Sequence, residues 1–264
     1  MSYKEITNID ELHNILLEIA KEFRRICDLY GIPYYMLGGT MLGAIRHNGF
    51  IPWDDDMDFG VPRQYYDKLF DVLESNLHFP YHVCSYKNTP LIYSPIIKIV
   101  DTRTVANDPC VPLSLDEQIG VNIDVFPLDY CKKNDILLNK IYLLEFVYQT
   151  IYVKNRFKSK WKNFIKEILS AICPISRIKL IERIHFELSR LNRGPMLANV
   201  LGAWKKKECI PIEWYGEGKK YTFEDTEFNG IMNYDSYLKQ LYDDYMKPPK
   251  GDRHIHLSNV YWKV

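Results

Sequence analysis

The chain lacks a net charge and a long apolar run. Its 264 residues carry 34 Lys and Arg against 34 Asp and Glu, so no overall field attracts nucleic acid and any basic surface must be local. No apolar run approaches the roughly 20 residues that span a bilayer, and the amino-terminal segment is polar and acidic rather than basic and then apolar. These absences predict a cytoplasmic protein that does not bind nucleic acid.

The chain also lacks closely spaced cysteines. Its six cysteines include no CxxC pair and no metal-finger spacing. We therefore expect buried free thiols in a reducing compartment. The residues are Cys27, Cys84, Cys110, Cys131, Cys173 and Cys209.

The amino-terminal half alternates helices with short strands. Apolar residues recur at three- and four-residue steps over 9–30, which predicts an amphipathic helix that ends at Gly31. A short buried strand over 34–37 and a glycine turn follow, with Thr40 as the N-cap of a helix to about His47.

Further elements follow in a pattern that predicts a mixed sheet. An aspartate-carrying strand leads to a helix that Pro62 opens and that runs to about Asn76. Strands are then predicted over 79–86, 91–101 and 119–126, the last ending at Pro127, followed by helical sequence over 133–192 interrupted by Pro174 and a helix near 234–246. We divide the chain into a catalytic core, 1–131, and a helical and mixed region, 132–264, that completes the same active site.

Four aspartates crowd into five residues, at Asp54, Asp55, Asp56 and Asp58. Ionised side by side they would repel one another, so a bound divalent cation is the natural counter-charge. Hard carboxylate oxygens favour Mg²⁺, as one or two ions, with Mn²⁺ as an alternative. The sequence therefore predicts a metal site here.

Alternation along a strand selects which aspartates act together. Side chains two residues apart share a face, so Asp56 and Asp58 can hold the same ions. A third ligand is expected from a neighbouring strand, and Asp124 in the apolar run VNIDVFP is the best candidate. We predict these three as the catalytic and metal-binding residues, with Asp124 as the general base or a ligand beside it.

A phosphate-binding segment is predicted just before the aspartates. Gly38 and Gly39 have no Cβ atoms, so the backbone can approach a phosphate, and the helix starting at Thr40 offers unpaired N–H groups. Lys98 and Arg46 are the favoured cations for phosphate oxygens, with Arg103 and His47 as weaker candidates.

Aromatic residues could form a cage for a quaternary ammonium group. Trp53 lies next to the aspartates and could line the donor pocket, and Trp204, Trp214 and Tyr215 are further candidates. Core packing is the alternative for each of them, and a polyol donor would instead require hydrogen-bonding side chains.

A basic segment over 154–166 combines six Lys or Arg residues with aromatic side chains and has no acidic residue. This composition is typical of a helix that rests on an anionic membrane surface. A solvated helix face and a groove for an anionic polymer are the alternatives.

The run GGTMLGAIRHNGFIPWDDDMDFG resembles the core motif of the LicD family of phosphotransferases. IIKIVDTRT, NIDVFPLD and YLKQLYDDYMKPP resemble further blocks of that family, in order and over most of the chain. The resemblance implies an α/β (α+β) protein with the nucleotidyltransferase fold, a mixed sheet flanked by helices and a mostly helical carboxy-terminal half. One departure is Asp243, which stands where a glycine is expected and which we interpret as a change on a helix surface.

The resemblance also implies a reaction. Phosphocholine is transferred from CDP-choline to a sugar hydroxyl of a teichoic acid or lipopolysaccharide, with release of CMP, and the family's carboxylates fall on Asp56, Asp58 and Asp124. The alternatives are a CDP-glycerol or CDP-ribitol donor, an Asp-x-Asp glycosyltransferase that uses a nucleotide sugar, and an inactive relative that only binds. The expected partners are a CDP-alcohol donor and a glycan or lipid-linked glycan acceptor.

Overall fold

A mixed sheet lies at the centre of the protein. The structure, a computed structural model, describes residues 2–89, 94–107, 113–133, 135–152, 168, 176–191, 194–248 and 259–264. Within these residues the sheet has seven strands. Five strands form a row in the order β2 (Tyr35–Met36), β3 (Asp58–Pro62), β7 (Asn122–Cys131), β5 (Ile97–Asp101) and β4 (Tyr81–Cys84). The carboxy-terminal part of β7 also pairs with β8 (Met196–Ala198), which pairs with β9 (Cys209–Pro211). Strands β3 and β7 are parallel and the other pairs are antiparallel, which confirms the predicted mixed sheet.

Smaller antiparallel sheets border the central one. Strand β12 (Val260–Lys263) pairs with both β1 (Tyr3–Glu5) and β6 (Thr104–Ala106), so the two ends of the described chain meet. Strands β10 (Lys219–Phe223) and β11 (Thr226–Gly230) form a hairpin.

Helices flank the sheet as predicted. The described helices are α1 (Ile9–Tyr30), α2 (Gly38–His47), α3 (Arg63–Asn76), α4 (Ile136–Tyr152), α5 (Arg177–Ser189), α6 (Ile212–Tyr215) and α7 (Tyr234–Tyr242), with 3-10 turns at Leu115–Glu117 and Lys205–Glu208. The bounds predicted for α1 are confirmed. The Asn8 side chain accepts the Asp10 backbone N–H, and Gly31 ends the helix at a φ of 61°.

Three local predictions are wrong. Asp54 to Met57 lie in a loop, and β3 begins only at Asp58. Helix α2 begins at Gly38 with Leu37 as its N-cap, so Thr40 is inside the helix and does not cap it. The third error concerns the end of β7.

Strand β7 continues through Pro127 to Cys131. Its antiparallel partner is β5 up to Val125 and β8 from Asp129, so Pro127 lies where the partner changes. Proline has no backbone N–H to donate, and this loss disrupts the hydrogen bonds of the sheet least where a strand changes partner.

Two large apolar cores and a small cluster around Cys84 and Val100 lie within the described part of the chain. The larger core combines α1, the central strands and residues from the carboxy-terminal half such as Leu197, Ile210 and Tyr237. The smaller core lies between α4, α5 and β8 and includes Ile141, Leu180 and Ala198. The division at residue 131 stays a prediction.

Some predictions fall on residues that the structure leaves undescribed. The basic segment 154–166 lies outside the described residues, as do Pro174, Cys110 and Cys173. The other four cysteines are free and buried, and the Sγ atoms of Cys131 and Cys209 are 3.3 Å apart. Among the described helices, none has the length and apolar character needed to cross a bilayer.

Candidate phosphotransfer site

Three predicted site residues lie side by side on three adjacent strands. Asp58 begins β3 and pairs in register with Asp124 on β7, which pairs in register with Lys98 on β5. Residues paired in register project to the same face of a sheet. The Lys98 ammonium forms an ion pair with the Asp124 carboxylate and donates to Asn122 Oδ1 at 3.0 Å. The structure thus brings Asp58, Asp124 and Lys98 together.

Helix α2 begins directly against Asp58. The Asp58 N–H donates to Thr40 Oγ1 at 2.8 Å, and the Leu37 N–H donates to the Asp58 carbonyl at 3.0 Å. The Gly38 N–H donates to the Tyr237 hydroxyl at 2.9 Å, and a φ of 49° at Gly38 favours glycine. The first turn of a ten-residue helix, with its N–H groups and positive dipole end, therefore faces the acidic strand ends.

The loop that precedes β3 gathers the other three aspartates. One carboxylate oxygen each from Asp54, Asp55 and Asp56 lies within 4.8 Å of the others, the single group of potential metal ligands found among the described residues. The strand alternation expected for these residues is wrong, because they are not in a strand. His13 on α1 fixes the loop by donating from Nε2 to the Asp54 carbonyl at 2.7 Å while stacking on Phe50.

Crowded negative charge perturbs two of these carboxyls. Desolvation by the surrounding protein, with the charges of Asp54 and Asp124, raises the pKa of Asp56 to about 7. The pKa of Asp58 is raised well above its ordinary value, first by desolvation and then by Asp56 and Asp124. Lys98 opposes both shifts. A bound cation would lower the pKa of both carboxyls and favour their ionised forms.

The residues present fit a divalent cation and a phosphate. The donor set is made of hard carboxylate oxygens, as Mg²⁺ prefers. A Cβ added at Gly39 would lie 2.7 Å from Asp54 Oδ2, and one added at Gly38 would lie 3.6 Å from Asp58 Oδ2. Glycine therefore keeps the start of α2 open toward the carboxylates. Asp56, Asp58 and Asp124 as ligands, and Gly38, Gly39 and Thr40 as a phosphate cradle, stay predictions.

The remaining predicted cations lie elsewhere. Arg46 is in the last turn of α2, eight residues from Gly38 and so about 12 Å along the helix. Its Nη1 donates to the Tyr245 carbonyl at 3.0 Å and its Nε to His47 at 2.9 Å. Arg103 binds the buried Asp101 carboxylate through two nitrogens. Neither arginine is brought to the cradle.

The proposed aromatic residues divide into core and surface. Tyr215 is fully buried against Tyr35, so it cannot touch a ligand. Trp53 and Trp214 are partly buried against the main core. Trp204 is 41% exposed and meets the Tyr242 ring edge-on, with centroids 5.2 Å apart.

Several residues at the site are not among those that the sequence predicted. Asn122 is two residues before Asp124 and hence on its face of β7, a signal that strand spacing offered. Tyr242 lies at the site, since its hydroxyl is 3.6 Å from the Cβ position of Gly38. Tyr237 and His13 come from distant parts of the chain, and no local pattern marks them.

A mixed sheet with acidic strand ends facing the first turn of a glycine-led helix is typical of nucleotidyltransferase-fold proteins. The family model described as LicD/FKTN/FKRP, nucleotidyltransferase domain, matches residues 31–180, which is more than half of the chain. The protein belongs to the LicD family, as its motifs predicted.

Individual relatives support the assignment. The lipopolysaccharide cholinephosphotransferase LicD of Haemophilus influenzae is 29% identical over 268 aligned positions, which cover 96% of this chain and 97% of the relative. An uncharacterized protein of Rickettsia typhi, RT0683, is 26% identical over 132 residues, 48% of this chain and 38% of its own. The human ribitol 5-phosphate transferase FKRP is 41% identical over 46 residues, 17% of this chain and 9% of its own.

Proposed function

We propose that the protein transfers phosphocholine from CDP-choline to a sugar hydroxyl of a cell-surface glycan, either a lipopolysaccharide or a teichoic acid, and releases CMP. One observation carries the proposal. The Asp58, Asp124 and Lys98 row faces the start of α2 in a chain that aligns over nearly its whole length with a lipopolysaccharide cholinephosphotransferase. A cytoplasmic location and contact of 154–166 with the membrane surface are part of the proposal.

Each site residue has a task in this reaction. The first-turn N–H groups of Gly39 and Thr40 would donate to donor phosphate oxygens. Asp56, Asp58 and Asp124 would hold Mg²⁺, which when bound neutralises diphosphate charge and lowers the pKa of a nearby hydroxyl. Asp124 would act as the general base or as a ligand beside it. Lys98, held by Asn122, would balance the negative charge that develops on the phosphates.

Binding and turnover of Asp58→Asn test the proposal. Calorimetry with CDP-choline, with and without Mg²⁺, should show Mg²⁺-dependent binding to the wild type that is lost in the variant. CMP release should fall about 10²- to 10³-fold, as expected for loss of a preorganised electrostatic group. Full CMP release by Asp58→Asn would contradict the assignment of the site.

The donor is tested by comparison within one experiment. The match to a ribitol 5-phosphate transferase keeps CDP-ribitol as the second candidate, with CDP-glycerol beside it. Equal affinity for all three CDP compounds would mean that the site recognises only cytidine and diphosphate. Binding of a UDP-sugar without CDP binding would favour a glycosyltransferase, and CDP binding without turnover on any acceptor would favour an inactive relative.

A further inference from the structure

A cavity of about 430 Å³ lies between α4 and the 204–207 segment. Its walls carry the aromatic rings of Tyr142, Phe146 and Trp204 together with Lys205, Lys206 and Lys207. This volume is within the range of small-molecule sites and accommodates one or two sugar units.

Buried carboxylates hold this cavity in shape. Glu145 is almost fully buried in α4 and accepts from the Lys205 ammonium and from Gln149 Nε2 at 2.9 Å. Glu208 is also buried, and it accepts the Trp204 backbone N–H at 3.0 Å and Asn199 Nδ2 at 2.7 Å. The Trp204–Lys205 wall is therefore fixed before any ligand binds, as preorganised sites require.

A short chain of contacts joins the cavity to the site. The Trp204 ring contacts Tyr242, and the Tyr242 hydroxyl lies 3.6 Å from the Cβ position of Gly38, which is itself 3.6 Å from Asp58 Oδ2. The Trp204 wall of the cavity is thus separated from the start of α2 by a single tyrosine side chain.

The charge of the cavity selects an anionic occupant. Glu145 neutralises Lys205, whereas Lys206 and Lys207 are exposed and add positive charge. The Lys205 and Lys207 ammonium groups already lie 5.9 Å and 5.4 Å from the Tyr142 and Trp204 ring centroids. A trimethylammonium group would meet like charge here, whereas phosphate would be attracted and a sugar face could pack on the rings.

We infer that this cavity is the acceptor subsite and that it binds a phosphate-bearing sugar of the glycan. The inference rests on the proposed function, because it assigns the second substrate of the same site. It adds residues outside the aspartate and glycine motifs, namely Trp204, Lys206 and Lys207.

Charge reversal tests the inference. The probes are a phosphorylated core oligosaccharide released from lipopolysaccharide and the same oligosaccharide after dephosphorylation. In Lys206→Glu with Lys207→Glu, the KM for the phosphorylated acceptor should rise about tenfold or more, as expected for lost charge-assisted contacts, while the KM for CDP-choline stays unchanged. Dephosphorylation of the acceptor should raise its KM with the wild type by a similar factor and should change its KM with the double variant little. Lys220→Glu, an exposed change on β10, is the matched control.

Direct binding separates this inference from the proposed function. Calorimetry of the phosphorylated oligosaccharide alone, without donor, should show binding to the wild type and to Lys220→Glu that is at least tenfold weaker in the double variant. Equal binding by all three proteins, or equal preference for both oligosaccharides, would overturn the acceptor subsite. Absence of CDP-choline binding would overturn the donor proposal while the oligosaccharide result still decides the cavity.

Discussion

Asp243 lies at a helix end whose backbone conformation favours glycine. It ends α7 at a φ of 57° and a ψ of −110°, in a region that glycine adopts at low cost and other residues do not. The family glycine expected at this position is therefore explained by the helix terminus, and the interpretation of a helix-surface change was incomplete. Asp243 is exposed, so its side chain contributes little packing to offset the strain.

Asp243→Gly should stabilise the protein. Glycine relieves the strain of the positive φ, and this gain outweighs the added entropy of glycine in the unfolded chain. The free energy of unfolding should rise by about 0.5–1 kcal/mol. Thermal unfolding should shift up by about 2 °C, and Asp244→Gly, whose φ is not positive, should give no gain. An equal or lower midpoint for Asp243→Gly would show that the terminus is not strained.

Two glycines of α2 have different roles. Gly39 is expected to serve function and Gly43 is expected to serve packing. A Cβ at Gly39 meets the end of the Asp54 side chain, which can move, whereas a Cβ at Gly43 lies 2.4 Å from the Gly49 carbonyl oxygen in the backbone. Gly39→Ala should keep the midpoint of unfolding near wild type but lower CMP release about 10- to 100-fold, because the aspartate loop shifts.

Gly43→Ala should do the opposite. Overpacking against the backbone should lower the free energy of unfolding by about 1–3 kcal/mol, with catalysis per folded molecule largely retained. Urea unfolding and CMP release measured on both variants check the pair. Normal turnover by Gly39→Ala would argue against the phosphate cradle.

At the scale of elements, the 3-10 turn at Lys205–Glu208 is held to the loop after β8 by the buried Glu208. Burial raises the pKa of Glu208 to about 7, against the hydrogen bonds from Trp204 and Asn199 that lower it. The Asn199 Oδ1 atom has no hydrogen-bond partner among the described residues, so an amide flip could satisfy a glutamine at position 208. Glu208→Gln is thus compatible with the local geometry.

Glu208→Gln should stabilise the fold more as pH rises. Between pH 4.5, the ordinary pKa of this carboxyl, and about pH 7, the folded protein holds a proton that the unfolded chain has lost, so wild-type stability falls as pH rises. The glutamine variant lacks this loss, and its advantage should grow by about 1–3 kcal/mol across the window. Urea unfolding at pH 4.5 and 7.5 measures it, and a constant difference would contradict the raised pKa.

At the scale of the whole molecule, the central feature is negative charge concentrated where β3, β7, α2 and the aspartate loop meet. Metal binding at the proposed site would contribute to global stability by linkage, because the ligands converge only in the folded chain. Stability in the presence of Mg²⁺ is therefore a test that does not depend on a donor or an acceptor.

Mg²⁺ should raise the thermal midpoint of the wild type, and EDTA should reverse the effect. At ten times Kd, linkage gives about 1.4 kcal/mol, or roughly 3–5 °C for a chain of this length. Asp58→Asn should melt above the wild type without metal, because repulsion is relieved, and should gain little from Mg²⁺. Equal Mg²⁺ shifts in both proteins would remove Asp58 from the site.

Sequence periodicity and motif spacing by themselves determined the first helix, the family and the pairing of two site residues. The bounds of α1 follow from its apolar repeat and from Gly31, and the motifs led to the LicD family. The pairing of Asp58 with Asp124 was also expected, because both lie on strands of one predicted sheet. These features depend on local patterns, which a sequence carries directly.

Tertiary structure decided what depends on contacts between distant segments. The three loop aspartates converge because His13 and β3 fix the loop. Thr40 holds Asp58 because the N-cap of α2 is Leu37, three residues earlier than its capping pattern indicated. The contacts that link Gly38 to Tyr242, and Tyr242 to Trp204, include residues about 200 positions apart in the sequence. Such contacts depend on how the strands and helices pack in three dimensions, and no local pattern encodes them.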